Sequence, residues 1–216
     1  MPSADEIRDG QRATWAGLSA GWEKWDSVIM EQLGPVGAAM IERLDIAFDH
    51  LHLDVAAGTG EPGLSIARLA PKGRVVLTDL VAEMLDVAAR RARAQGVANI
   101  ETKVCSADDL PFNDASFDSV SVRFGYMFFP DVAKATAEFA RVLKPGGRLR
   151  FVTDWKDYAG WALERLTREP GFVWLAEAAA DWRDAPDDHV TTRYQEKLLG
   201  DTQPIFLEFE RRAGKL

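Results

Sequence analysis

Residues 51–60 read Leu51-His52-Leu53-Asp54-Val55-Ala56-Ala57-Gly58-Thr59-Gly60. Leu51, Leu53 and Val55 form a short apolar run, which predicts a buried β-strand. Two small residues and Gly58-Thr59-Gly60 follow, and then a helical pattern carrying Leu64, Ile66, Ala67 and Leu69. A strand, a glycine turn and a helix build the nucleotide-binding corner of a doubly wound α/β fold. Glycine lets the backbone approach a ligand because no Cβ stands in the way. The helix N-terminus beyond the turn offers unpaired N–H groups to a polar or anionic group.

Gly58 to Gly63 also satisfies G-x-G-x-x-G, the dinucleotide fingerprint, so the glycines alone leave the ligand open. Two side chains lean away from a dinucleotide. Asp54 lies within the strand, where a fully buried parallel strand carries aliphatic residues. Glu61 follows the second glycine, close to where a pyrophosphate would sit, and its charge would repel it. A ligand with an amine and no phosphate suits this corner better. Pro62 fits the first helical turn, where its missing N–H costs nothing.

Downstream, a strand over 74–78 ends at Asp79, 19 residues beyond Gly60. Open parallel sheets bind ligands at the carboxyl ends of their strands, and a carboxylate at this spacing takes the two ribose hydroxyls. It would also repel a 2′-phosphate. The competing reading of Asp79 is an N-cap for the next helix. That helix is expected over 81–95, with Met84, Leu85 and Ala88 inward and Gly96 as its stop. Strands over 100–104, 117–122 and 148–153 follow, with a helix capped by Asp131 running to Leu143. The alternation predicts a Rossmann-like α/β fold, a doubly wound, mainly parallel sheet with helices on both faces. The aromatic run Phe124 to Phe129 follows the fourth strand at the ligand-binding edge, either as pocket lining or as ordinary core.

Before the sheet, Trp15, Trp22 and Trp25 with Leu18 share a helical face, which is expected to break near Gly21. This helix either packs on the domain or forms a lid over the cofactor. A second helix over 27–44 is expected to kink at Gly34-Pro35. After residue 153 the pattern suggests helices over 159–168 and 172–182, a weak strand over 190–194 and a clearer one over 204–211, a short cap or antiparallel element.

The 216 residues suit a single domain: an N-terminal helical lid (1–46), a cofactor-binding core (50–153) and a short C-terminal region (154–216). The formal charge of −8, from 26 basic and 34 acidic side chains, argues against a nucleic-acid partner. Arg90, Arg91 and Arg93 read as a solvated helix face. A lone cysteine, Cys105, allows no internal disulfide and fits a cytoplasmic setting. The N-terminus has no signal-peptide pattern, no apolar run reaches the ~18 residues of a membrane span, and no cluster has metal-ligand spacing.

Four stretches together resemble the class I S-adenosylmethionine-dependent methyltransferases, and look most similar to the ubiquinone and menaquinone C-methyltransferase branch. They are LDVAAGTG at 53–60, TDLVAEML at 78–85, ADDLPFNDASFDSV at 107–120 and RVLKPGGRL at 141–149. The resemblance covers about residues 50–153. It implies S-adenosyl-L-methionine as cofactor, a small-molecule acceptor and in-line methyl transfer. It places Asp54, Ala56, Gly58 and Gly60 at the methionine part, with Asp54 facing the ammonium directly or through water. Asp79 takes the ribose, and Leu80 and Met84 lie beside the adenosine. At the adenine edge the family carries Asp or Asn where this chain has Ser106, a shorter group. Adenine recognition would then rest more on the Ala107 N–H and on Asp108. Arg123 corresponds to the family residue beside the transferred methyl. Residues 154–216 depart from the family, being short for a full substrate cap.

A nucleophile that must lose a proton needs a general base. His50 and His52 read as structural, at the edge opposite the ligand. His189 and Tyr126 are the weak candidates, with Asp154 and Tyr158 also open. Two alternatives remain: an NAD-linked oxidoreductase, and a cofactor-binding module without transfer activity.

Overall fold

A computed structural model describes residues 3–185 and 202–213. Two helices open the chain, α1 (Ala4–Lys24) and α2 (Asp26–Leu44). A Ser3/Glu6 capping box starts α1: the Glu6 N–H donates to Ser3 Oγ and the Ser3 N–H to Glu6 Oε2. The helix runs through Gly21 and ends at Trp25, so the expected break lies four residues later. No atom lies within 4 Å of where a Gly21 Cβ would stand, so nothing forces a bend there. Pro35 sits inside α2 without ending it.

The core alternates β1 (Leu51–Val55), α3 (Gly63–Leu69), β2 (Arg74–Asp79), α4 (Ala82–Ala94), β3 (Ile100–Val104), β4 (Ser119–Val122), α5 (Val132–Val142) and β5 (Arg148–Thr153). Strands β1 to β4 form a parallel sheet in the order β3-β2-β1-β4. The chain moves outward from β1 to β3 and then crosses back to the other side of β1. That reversal between β1 and β4 is the switch point at which such sheets bind ligands. Leu64 and Ile66 of α3 and Leu85 and Ala88 of α4 pack with Val75 and Leu77 on one face. Ala135, Phe139 and Val142 of α5 pack with Leu53, Val55 and Val76 on the other. The fold is thus the doubly wound α/β arrangement read from the alternation.

A second sheet completes the fold. It joins β5 to β6 (Phe172–Trp174) and β7 (Ile205–Arg211), antiparallel, in the order β5-β7-β6. α6 (Lys156–Arg168) and the single turn α7 (Ala180–Arg183) accompany it. The helix expected over 172–182 is therefore corrected to a strand and a later short turn. Phe172 is buried, Val173 exposed and Trp174 half-buried, a period of two that lets the segment pair with β7. The weak strand read over 190–194 lies outside the described residues.

Candidate functional site

The site is built first by the turn after β1. The Ala57 N–H donates to the Thr78 carbonyl at 2.9 Å, tying the turn to β2, and the Gly60 N–H donates to the Ala57 carbonyl at 2.9 Å. Gly58 and Gly60 have φ of +53° and +109°, conformations open to glycine. A Cβ on Gly60 would stand 2.9 Å from Leu64 Cδ1 and 3.1 Å from the Ala88 Cβ, so this glycine lets α3 and α4 close beneath the turn. Ala56 and Phe124 also have positive φ, 53° and 60°, and both line one cavity. Strained non-glycine residues of this kind persist where the surrounding structure holds them, commonly at ligand sites. Gly125 lets these two segments meet, since a Cβ there would lie 2.8 Å from the Ala56 Cβ.

The cavity encloses about 260 Å³ at the carboxyl ends of β1, β2 and β4. Of the residues singled out from sequence, it brings together Ala56, Gly58, Asp79, Leu80, Met84, Ser106, Ala107 and Arg123. Asp79 Oδ2 accepts the Gly58 N–H at 2.9 Å and Oδ1 accepts the Val81 N–H at 3.0 Å. Asp79 is not the N-cap of α4, which is Val81 without a side-chain cap bond; its carboxylate instead closes the turn ahead of the helix, and the residue lines the cavity. Burial pushes its carboxyl upward in pKa, against those two N–H bonds.

Asp54, Gly60 and Asp108 stand behind the wall. Asp54 is 1% exposed. Its Oδ2 accepts the Gly63 N–H at 3.0 Å and its Oδ1 accepts the Ser121 hydroxyl at 2.6 Å. His52, expected at the far edge, lies within β1, fully buried beside Asp54. Its Nε2 is 2.9 Å from Ser121 Oγ and its Nδ1 is 2.7 Å from Ser119 Oγ. Since the Ser121 proton goes to Asp54, Nε2 must donate to Ser121, which leaves Nδ1 to accept from Ser119. Burial, with the nearby His50 charge, lowers the His52 pKa to about 3, so the ring is neutral. Burial raises Asp54 to about 7, against the Ser121 and Gly63 hydrogen bonds and the Arg123 charge.

At the opposite end, the Arg8 Nη2 of α1 donates to Asp108 Oδ2 at 3.0 Å, and Ser106 also donates to Asp108. The adenine-edge departure at Ser106 thus comes with a clasp from α1. Helix α1 has no fully buried side chain. It is held by Arg8–Asp108 and Glu23–Arg90, while Asp26 at the head of α2 pairs with Arg91. Trp15, Trp22 and Gln11 from α1 line the cavity, and Trp15 Nε1 donates to Gln11 Oε1 at 2.9 Å. Trp15 meets Phe128 edge-on with centroids 5.5 Å apart. Of the face read from the spacing, Trp15 and Trp22 reach the cavity, while Leu18 and Trp25 are exposed and do not line it. Gln11 and Pro130 also line the cavity and carried no sequence signal, and Leu33 joins them from the apolar side of the second helix.

Tyr126 is corrected as a candidate base. Its hydroxyl is 2.8 Å from Thr136 Oγ1, its ring packs on Phe129, Phe151 and Trp161, and burial raises its pKa. His189 lies outside the described residues. Cys105 does line the cavity, but burial pushes its thiol up to about 11, so it is protonated at neutral pH. No histidine lines the cavity among the described residues, nor do they contain a metal-ligand cluster. No described helix is long and apolar enough to cross a membrane.

A family model described as the ubiE/COQ5 methyltransferase family matches residues 22–156. A Caulobacter vibrioides protein named tRNA (guanine-N(7)-)-methyltransferase is 37% identical over 174 residues, 74% of either chain. Two further Caulobacter relatives carry the same name. A Thermus thermophilus demethylmenaquinone methyltransferase is 44% identical over 99 residues, 45% of this chain and 44% of that one. The solved structure of a SAM dependent methyltransferase from Aquifex aeolicus shares the fold, with a TM-score of 0.54 and 18% identity over 83% of this chain and 90% of that one. The relatives named for tRNA overturn the expectation of a small-molecule acceptor with no nucleic acid. The small-molecule acceptor followed from the resemblance to the quinone branch, and the exclusion of nucleic acid from net charge, a whole-molecule sum that says little about the local surface where an acceptor docks.

Proposed function

The chain belongs to the ubiE/COQ5 methyltransferase family and uses S-adenosylmethionine, and from that premise we propose that its acceptor is a purine ring nitrogen carried by RNA. The observation that carries this reading is the extended similarity to relatives named for guanine N7 of tRNA. The cavity chemistry supports it. An in-plane ring nitrogen such as guanine N7 offers a lone pair and has no proton to lose. The described lining, which holds no histidine, suits such a nucleophile. The aromatic side chains Trp15, Trp22, Phe124 and Phe128 supply faces on which an unstacked base can rest.

The residues present fit the cofactor. Asp79, at the end of β2 with both oxygens facing backbone donors, is placed to accept the ribose hydroxyls. Ser106 and the Ala107 N–H sit where an adenine edge would meet them, beside Leu80 and Met84. Ala56 and Gly58 leave room for the methionine part, with Asp54 and Gly60 holding the turn from behind. The bound cofactor supplies a sulfonium methyl that needs no further activation. The chain's own work is to hold the acceptor in line behind that methyl and to keep water out. Residues 1–46 act as the lid, residues 50–153 as the cofactor core and residues 154–216 as the flanking region, within one domain.

The test is transfer of tritiated methyl from S-adenosylmethionine to unmodified tRNA and to total RNA, followed by nucleoside analysis. Label in a methylated purine, 7-methylguanosine first, is expected. A protein that binds the cofactor yet labels no RNA would overturn the acceptor assignment.

A further inference from the structure

Strand β3 closes one side of the parallel sheet, with β2 as its only strand neighbour among the described residues. Strands of parallel sheets ordinarily lie buried on both faces. In β3 only Ile100 is half-buried; Glu101, Thr102, Lys103 and Val104 are exposed, Val104 to 51%. The Val75 N–H donates to the Asn99 carbonyl and the Cys105 N–H to the Asp79 carbonyl, each at 3.0 Å. Bonding sides alternate along a strand, so Glu101 and Lys103 also turn their backbone towards β2. Ile100, Thr102 and Val104 present theirs outward, and no described residue bonds to those outward groups. Such an edge is a template for another strand.

The side chains decide which strand fits. A lone edge lysine would blunt the edge, but Glu101 stands two positions from Lys103 on the same face, with Thr102 between them. Turned by a two-fold axis through Thr102, a second β3 runs antiparallel to the first. Glu101 of each copy then lies opposite Lys103 of the other, Thr102 meets Thr102, and Ile100 meets Val104. The same register lets the outward N–H and C=O groups of Ile100, Thr102 and Val104 bond one another. It puts the charged pairs at the positions without hydrogen bonds, where facing side chains come closest. Lys103 has no ion-pair partner among the described residues. Arg74 of β2 reaches Glu101 at 3.2 Å, an exposed pair that leaves the carboxylate room for a second donor. Hydrogen bonding, charge and apolar contact thus agree on one register.

We propose that the chain associates with a second copy through β3, as a two-fold antiparallel strand pair centred on Thr102 that joins two sheets into one. The proposal is independent of the cofactor and of the acceptor. One short strand from each copy makes a small interface, so the association should be in the micromolar range.

Sedimentation velocity of the full chain over a concentration series tests it. The wild type should pass from monomer to dimer as the concentration rises to about 100 μM. Lys103→Glu sets carboxylates opposite each other and should weaken association about tenfold or more. Glu101→Lys sets ammonium groups opposite each other and should do the same. The double reversal Glu101→Lys/Lys103→Glu should restore the dimer, since both pairs form again with their signs exchanged. Both side chains are exposed, so the fold should tolerate these changes, which thermal melting checks. A wild type that stays monomeric at about 100 μM would leave the edge to a different partner and overturn the proposal, with no variant needed. A dimer that Lys103→Glu leaves intact would place the interface elsewhere, and a double reversal that stays monomeric would exclude this register; either would also overturn it.

Discussion

Replacing Asp54 by Asn should make the protein more stable at neutral pH than the wild type, by an amount that depends on pH. Asp54 is 1% exposed and its carboxyl is raised from 3.8 to about 7, chiefly by burial. A carboxyl raised on folding favours the folded state in its neutral form. That contribution is complete below the unfolded value and is lost as pH rises through about 7. At 1.36 kcal/mol per unit the full span is about 4 kcal/mol, of which about 2 kcal/mol falls between pH 5 and 7. Asparagine should be accommodated. Its amide oxygen can accept the Gly63 N–H, and its NH₂ can donate to Ser121 if that hydroxyl turns to donate to His52 Nε2, with the proton on His52 moved to Nδ1 to meet Ser119. Urea unfolding of both proteins without ligand, from pH 5 to 8, isolates Asp54 because the other titrating groups are shared. The stability of the wild type relative to the variant should fall by about 2 kcal/mol between pH 5 and 7 and level off near pH 8. A difference that stays flat with pH would refute the reasoning, because Asp54 would then be ionised throughout.

Arg8→Gln should loosen the lid: it leaves the buried Asp108 carboxylate with Ser106 alone, costing about 1–3 kcal/mol, and shifts tryptophan emission to the red as Trp15 and Trp22 meet water. An unchanged emission maximum would show that α1 does not depend on this clasp. Gly60→Ala should lower stability by about 1–3 kcal/mol in thermal melts, since φ is +109° and the new Cβ meets Leu64 and Ala88. A wild-type melting temperature would refute the packing argument at that turn.

Much of the core was legible because its signals are local. The apolar run of β1, the glycine turn and the carboxylate ending β2 each follow from residue type and short spacing. The parallel order follows from the alternation of strands and helices. What sequence could not show depends on contacts between distant segments. Arg8 reaches Asp108 across nearly a hundred residues, and Gln11 joins the cavity wall because α1 lies over it. His52 looked like a flanking residue because its partners, Ser119 and Ser121, arrive with β4. Tyr126 looked available because Thr136, which takes its hydroxyl, belongs to α5. The segment over 172–182 was misread because Phe172, Val173 and Trp174 gain their strand character from pairing with β7, far along the chain. Nucleic acid was excluded for a different reason, since total charge was used where local chemistry decides.

The most direct measurement is calorimetric binding of S-adenosylmethionine, its demethylated product and NADH to the wild type and to Asp79→Ala. Both sulfur ligands should bind the wild type, NADH should not compete, and the substitution should weaken both by about 10–100-fold through loss of the ribose contacts. Tighter binding of NADH, or sulfur-ligand affinity untouched by the substitution in a folded protein, would contradict the reading of this cavity.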